Sequence, residues 1–232
     1  NIQTDFAARN DNFKAFVTNV FEVAKTAKPG EDIVKLPMPG TSKTIEQVRD
    51  ELIATIGEKI SVRRFDRLEL GAGNGCVHSY LHMNGKIGVL LAVATETAEV
   101  TKHASFVKFV DDTAMQIAAM TPTYLDRSEV PAADLAKQKE IYEAQLRDEG
   151  KPEKAWPKII EGKVNKWYTE ICLVDQESVV DNSKSIEQAR AQASKEAGGS
   201  IRLVKFIRYQ LGEGIAKKED DFAAEAQKMA GG

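Results

Sequence analysis

The stretch Leu68-Glu69-Leu70-Gly71-Ala72-Gly73-Asn74-Gly75, followed by Cys76-Val77-His78-Ser79-Tyr80-Leu81-His82-Met83-Asn84-Gly85-Lys86-Ile87-Gly88-Val89-Leu90, decides the fold. Its glycines allow two architectures. In a methyltransferase, such a loop turns a strand into a helix, its backbone N–H groups approach the carboxylate of adenosylmethionine, and an acidic residue on the next strand, here Glu96, holds the ribose. That geometry needs a helix of about ten or more residues after the last glycine, long enough to cross back to a parallel strand. Only Cys76 to Asn84 intervenes, it has the pattern of a strand, and Asn84-Gly85 is a strong hairpin signal. The stretch is therefore a glycine-rich loop leading into an antiparallel hairpin, with strands over 76–84 and 86–95.

Just before the loop, Lys59 to Leu70 is rich in β-branched and aromatic residues and extends the hairpin into a meander. Upstream, Phe13, Phe16, Val17, Val20, Phe21 and Ala24 recur at helical spacing, and Pro29-Gly30 ends that helix. Thr44 and Gln47 form a capping box ahead of Ile45, Val48, Leu52 and Ile56, which predicts a second helix reaching about Gly57. Downstream, residues 102–120 place Phe106, Val110, Ala114, Ile117 and Ala118 on an apolar side and Asp111, Asp112 and Gln116 on a polar one. Residues 132–149 and 157–170, joined by Gly150-Lys151-Pro152, read as an antiparallel helical hairpin whose apolar stripe is thin in the first helix (Leu135, Tyr142, Leu146) and fuller in the second (Trp156, Ile159, Ile160, Val164, Trp167), Pro157 standing in the first turn of the second helix. A helix over 185–197, a β-rich run over 201–211 and a short helix over 220–229 complete the chain. The expected class is α+β: two small α+β subdomains with antiparallel sheets, a protruding helical hairpin and a C-terminal helix. The expected units are 1–125, 126–212 with the hairpin at 132–170, and 213–232.

With 232 residues, 42% hydrophobic and 29% charged, the chain is too balanced for disorder. No apolar run approaches the roughly 18 residues of a membrane span. A net charge of −3 supplies no global field for nucleic acid. Cys76 and Cys172 are too few for a disulfide framework or a zinc quartet, as expected of a cytoplasmic protein. The start at Asn1, without an initiator Met, is expected of a piece of a longer protein or of a processed chain.

Cys76, His78 and His82 would share one strand face, a geometry able to supply zinc ligands, but no fourth ligand stands nearby in sequence. His103 opens a helix. No Ser/His/Asp or Cys/His set assembles, so no catalytic residue, metal ligand or cofactor is expected.

Five separated segments resemble the elongation factor Ts family. They are Thr4-Asp5-Phe6-Ala7-Ala8-Arg9-Asn10; Ile60-Ser61-Val62-Arg63-Arg64-Phe65 leading to Ser79 through Leu90; Ala114-Met115-Gln116-Ile117-Ala118-Ala119; Gly150-Lys151-Pro152 with Ile160-Glu161-Gly162-Lys163 and Lys166-Trp167; and Phe206 through Ile215, closing on Asp221-Phe222-Ala223. The resemblance implies a guanine-nucleotide exchange factor for elongation factor Tu, acting without covalent chemistry on the GDP-bound and nucleotide-free partner, with no direct contact to nucleic acid or membrane. It implies that Phe6 is a wedge pushed between partner side chains near the magnesium and phosphate site, with Asp5 as its polar anchor. Ile87 and Gly88 would lie against the partner, although Ile87 also suits a strand core. Gln116 would touch the partner near the nucleotide phosphates. It departs from the His found there in some relatives, and Gln carries no charge. Phe222 would belong to a C-terminal module that reaches the partner. The resemblance further implies that the usual N-terminal helical domain and an edge strand precede Thr4 in relatives and are missing here, which would weaken binding. The alternatives from other classes are the methyltransferase built on Gly71–Gly75 and a truncated binding module without exchange activity.

Overall fold

The computed structural model describes residues 1–28 and 30–214. The expected helix over 220–229, with Phe222, lies outside the described residues.

A single turn, α1 (Asp5–Ala8), precedes α2 (Asp11–Ala24), whose N-terminus is capped by the Asn10 side chain accepting from the backbone N–H of Asn12 and Phe13. In α3 (Ile45–Ile56) the predicted capping box is present, Thr44 and Gln47 each satisfying the other's backbone N–H, and Gly57 closes the helix in the left-handed region at φ 79°. Phe16 of α2, Ile45 and Leu52 of α3, and Ile33, Met38 and Ile60 from the connecting segments form one apolar core.

The hairpin is as predicted. Strands β1 (Asn74–His82) and β2 (Ile87–Thr95) pair antiparallel about a turn in which Met83, Asn84 and Gly85 all have positive φ. The glycine loop leads straight into β1 with no helix between, so the crossover of a methyltransferase is absent at this site. The run from Lys59 to Leu70 corrects the expectation of a further strand, because among the described residues no neighbouring strand offers it a ladder. Among the described residues its one backbone exchange is with Asn1, at 2.7 and 2.9 Å to Ser61. Its side chains reach the sheet instead: Arg64 stacks on Tyr209, and the Tyr209 hydroxyl donates to Asp66.

Strand β3 (Ile201–Gln210) pairs antiparallel with β2, giving one sheet in the order β1-β2-β3. Among the described residues this is a single sheet shared by both halves of the sequence, where one sheet in each half was expected. The physical reason is the second core. Ile201 and Leu203 point to the same side as Val89, Leu91 and Val93, and α4 (Ala104–Met120) and α7 (Ile186–Ala197) close over them with Phe106, Val110, Ile117, Ile186 and Ala193. Burying that face removes the alternative registers of the sheet.

The helical pair is α5 (Ala132–Asp148) and α6 (Trp156–Ile171), with Pro157 in the first turn of α6 as predicted. Only Leu146 and Val164 of the pair are fully buried, so the hairpin stands away from both cores. Its base is stitched down by polar contacts. The Arg127 guanidinium donates to both oxygens of Asp175 and to Asn165 and lies 4.7 Å from the Tyr168 ring centre, while the Tyr124 hydroxyl donates to Asp134 at 2.9 Å.

Candidate partner-docking site

Phe6 is the most exposed large apolar side chain among the described residues, at 88%. A four-residue helix has no intrinsic stability in water, so the turn that carries it must be held from outside. Three contacts hold it. The Thr4 hydroxyl accepts from the Ala7 N–H at 3.1 Å, the Ala7 methyl is buried, and the Arg9 and Asn10 N–H groups return to the carbonyls of Phe6 and Ala7. Thr4 is itself gripped by Glu58, which follows the left-handed Gly57: one carboxylate oxygen accepts from the Thr4 N–H at 3.0 Å and the other from its hydroxyl at 2.6 Å. Asp5 is exposed in the same turn. The sequence pointed to Asp5 and Phe6 but gave no sign of Glu58, a residue 54 positions from Thr4.

Near α2 the surface is apolar. A groove of about 420 Å³ runs between Phe13, Val17 and Val20 of α2, the extended residues Ile60 and Val62, and the sheet end formed by Gly85, Gly88, Tyr209 and Leu211. Gly88 lies on the sheet face away from the α4 core, opposite Leu81. Burial, followed by the hydrogen bond to Asp66, pushes the Tyr209 hydroxyl up to about 12, so it remains a proton donor throughout the physiological range. A second groove on the hairpin is lined by Lys139, Glu143, Trp156, Pro157, Ile160 and Glu161.

Two expected contact residues lie inside the protein. Ile87 is 7% exposed and packs in the α4 core, the strand-core role that its position also suited. Gln116 is fully buried, which corrects its placement on the polar side of its helix. Phe109, Thr113 and Gln116 follow one another at i, i+4 and i+7, so they form a second inward stripe that a single-sided pattern overlooks. The Gln116 amide donates to Gln176 Oε1 and to the Glu177 carbonyl, both at 3.0 Å, and its oxygen accepts from the Val179 N–H at 2.8 Å.

Cys76, His78 and His82 do share the inward side of β1, but each histidine has its own partner. His78 Nε2 lies 3.0 Å from Asp111 Oδ1, and His82 Nδ1 lies 3.0 Å from the Tyr80 hydroxyl. Among the described residues no three His, Cys, Asp or Glu side chains converge to hold a metal ion, and no helix is long and apolar enough to cross a membrane. Burial raises the thiols of both cysteines, that of Cys172 to about 11, the opposite of what a nucleophile needs.

The chain matches the family model described as elongation factor TS over residues 3–213, a span that contains Asp5, Phe6, Ile87, Gly88 and Gln116. It is 46% identical over 227 residues to elongation factor Ts of Nitratiruptor sp., covering 97% of this chain and 73% of that protein. It is 42% identical to elongation factor Ts of Trichlorobacter lovleyi over 234 residues, covering 100% and 75%, and 42% identical to that of Clostridium perfringens over 238 residues with the same coverage. A family match across nearly the whole described chain, on a fold that presents the Thr4–Asn10 motif at its surface, shows that the chain belongs to the elongation factor Ts family of translation elongation factors.

Proposed function

We propose that the chain is a cytoplasmic guanine-nucleotide exchange factor for elongation factor Tu, with Phe6 as the wedge that loosens GDP near the magnesium and phosphate site and Asp5 as its polar anchor. The observation that carries this is the exposure of Phe6, 88%, on a turn pinned through Thr4 and Ala7. A ring left in water on a braced turn contributes nothing to its own fold, and its burial is available to a complex.

Exchange requires no bond-making. The factor must bind the nucleotide-free partner more tightly than the GDP-bound one, and each tenfold acceleration of release requires that about 1.4 kcal/mol of its binding be realised at the barrier to release. Burying a Phe ring contributes about 1.5–3 kcal/mol, so Phe6 alone accounts for roughly ten- to a hundredfold. The remainder falls to the Gly88 groove and to the α5–α6 hairpin. In this proposal unit 1–125 carries the wedge, and unit 126–212 carries the hairpin, a second attachment distant from the nucleotide. Ile87 and Gln116 act through the backbone they hold. Phe222, in unit 213–232, adds a contact of its own. Nucleic acid, membrane and cofactor have no direct part.

The test is the release of labelled GDP from elongation factor Tu as a function of factor concentration. Phe6→Ala is expected to lower the saturating rate by roughly ten- to a hundredfold with an unchanged melting temperature. An unaltered rate, or a mutant that unfolds, overturns the wedge. Binding of the wild-type chain to elongation factor Tu without any stimulated release would make it a binding module only.

A further inference from the structure

Glu58 stands outside every expectation drawn from the sequence, yet it makes a two-oxygen contact that ties the wedge turn to the end of α3. A threonine hydroxyl has one proton and two lone pairs. In this structure the proton goes to Glu58 Oε1 at 2.6 Å, which turns a lone pair toward the Ala7 N–H at 3.1 Å, and Glu58 Oε2 takes the Thr4 N–H at 3.0 Å. One carboxylate therefore sets both the position of the backbone at Thr4 and the direction of its cap. Gly57, left-handed at φ 79° and closing α3 through its N–H to Ile53, delivers Glu58 to that point. The clamp thus ties the one-turn helix α1 to the longer, capped helix α3.

We propose that Glu58 is a positioning residue for exchange: through Thr4 it pre-orders the turn that presents Phe6, so that the turn need not be organised when the partner binds. This rests on the wedge role of Phe6 argued above. A loosened turn samples many orientations, and only the fraction in the competent one acts, so the loss falls on the saturating rate. Attachment through the hairpin and the groove is untouched. The half-saturating concentration therefore stays where it was.

The experiment titrates GDP release from elongation factor Tu with the wild-type chain, Glu58→Ala, Thr4→Val, Thr4→Ser, Phe6→Ala and the double variant Phe6→Ala/Glu58→Ala, with thermal melts of each. Glu58→Ala and Thr4→Val are each expected to lower the saturating rate about fivefold, with the half-saturating concentration moving by less than about twofold. Thr4→Ser, which keeps the hydroxyl, should release GDP as the wild type does. In the Phe6→Ala background, Glu58→Ala should have no further effect, because there is no ring left to position. A wild-type rate for Glu58→Ala overturns the proposal, as does a fivefold loss that recurs on the Phe6→Ala background or a change confined to the half-saturating concentration. Should Glu58→Ala melt early, Thr4→Val carries the same test. If Phe6→Ala itself releases GDP normally, the wedge fails; if Phe6→Ala is slow while Glu58→Ala and Thr4→Val are normal, only the positioning role fails.

Discussion

Gln116 uses both amide protons and its oxygen inside the protein, tying α4 to residues 176–179. Gln116→Leu fits the same space but strands three polar partners, so it should cost about 3 kcal/mol and lower the melting temperature by roughly 6–12 °C. An unchanged melt would mean that water replaces the amide. Cys172 offers a second check. Its thiol is raised to about 11 from an ordinary 9.0 by burial, followed by the charge of Asp175. The unfolded thiol therefore ionises first, and the stability that depends on it is complete below pH 9 and declines as the pH climbs toward 11. At pH 8, Cys76, only half buried, should take up a thiol reagent first, and Cys172 only as fast as the protein opens. Fast labelling of Cys172 would contradict its burial. The Thr4–Asn10 motif was legible in the sequence because it is continuous. Gln116 was misplaced because a helix with two inward stripes looks one-sided when only its apolar residues are counted, and Glu58 was invisible because its partner is distant in the chain.

Among the elements, the glycine loop separates backbone strain from mere composition. A Cβ at Gly75 would meet the Val93 carbonyl at 2.1 Å with φ at 144°, whereas one at Gly73, φ 127°, meets nothing within 4 Å. Gly73→Ala should therefore cost about 1–2 kcal/mol of strain and leave exchange nearly unchanged, while Gly75→Ala should cost appreciably more and disturb the start of β1. Urea melts compare them directly, and calorimetry should find no adenosylmethionine bound. The helical hairpin makes the opposite case. Only Leu146 and Val164 are fully buried in α5 and α6, and the Arg127–Asp175 base lies outside the outer half. Replacing residues 139–156 by a short turn removes Leu146, which belongs to neither core, so it should change the melting temperature little and raise the half-saturating factor concentration more than it lowers the saturating rate. A large drop in melting temperature would make the hairpin part of the core. These helices were legible because their caps and stripes are local. The run 59–70 was not, because β-branched content reports an extended backbone without reporting whether a neighbour exists to pair with it.

At the scale of the molecule, two cores coexist: one from the α2–α3 region, the other from the sheet with α4 and α7. The α+β class was legible from alternating helical and strand periods. The shared sheet was not, since which strands become neighbours depends on the faces they bury together. That shared sheet also sets an order of assembly. At about 5–20 residues per second of synthesis, the roughly one hundred residues separating β2 from β3 take about 5–20 s to appear, so the nascent chain carries an unfinished hairpin through that interval. During it the backbone N–H and C=O groups of β2 that later pair with β3 form an unpaired edge, open to any passing extended segment, next to a face that carries Val89, Leu91 and Val93. Newly made chains that stop short of Ser200 should therefore need a chaperone to stay in solution, whereas chains carried through Gln210 should not; equal solubility of the two in a chaperone-free translation mixture would show that the open edge captures no other segment.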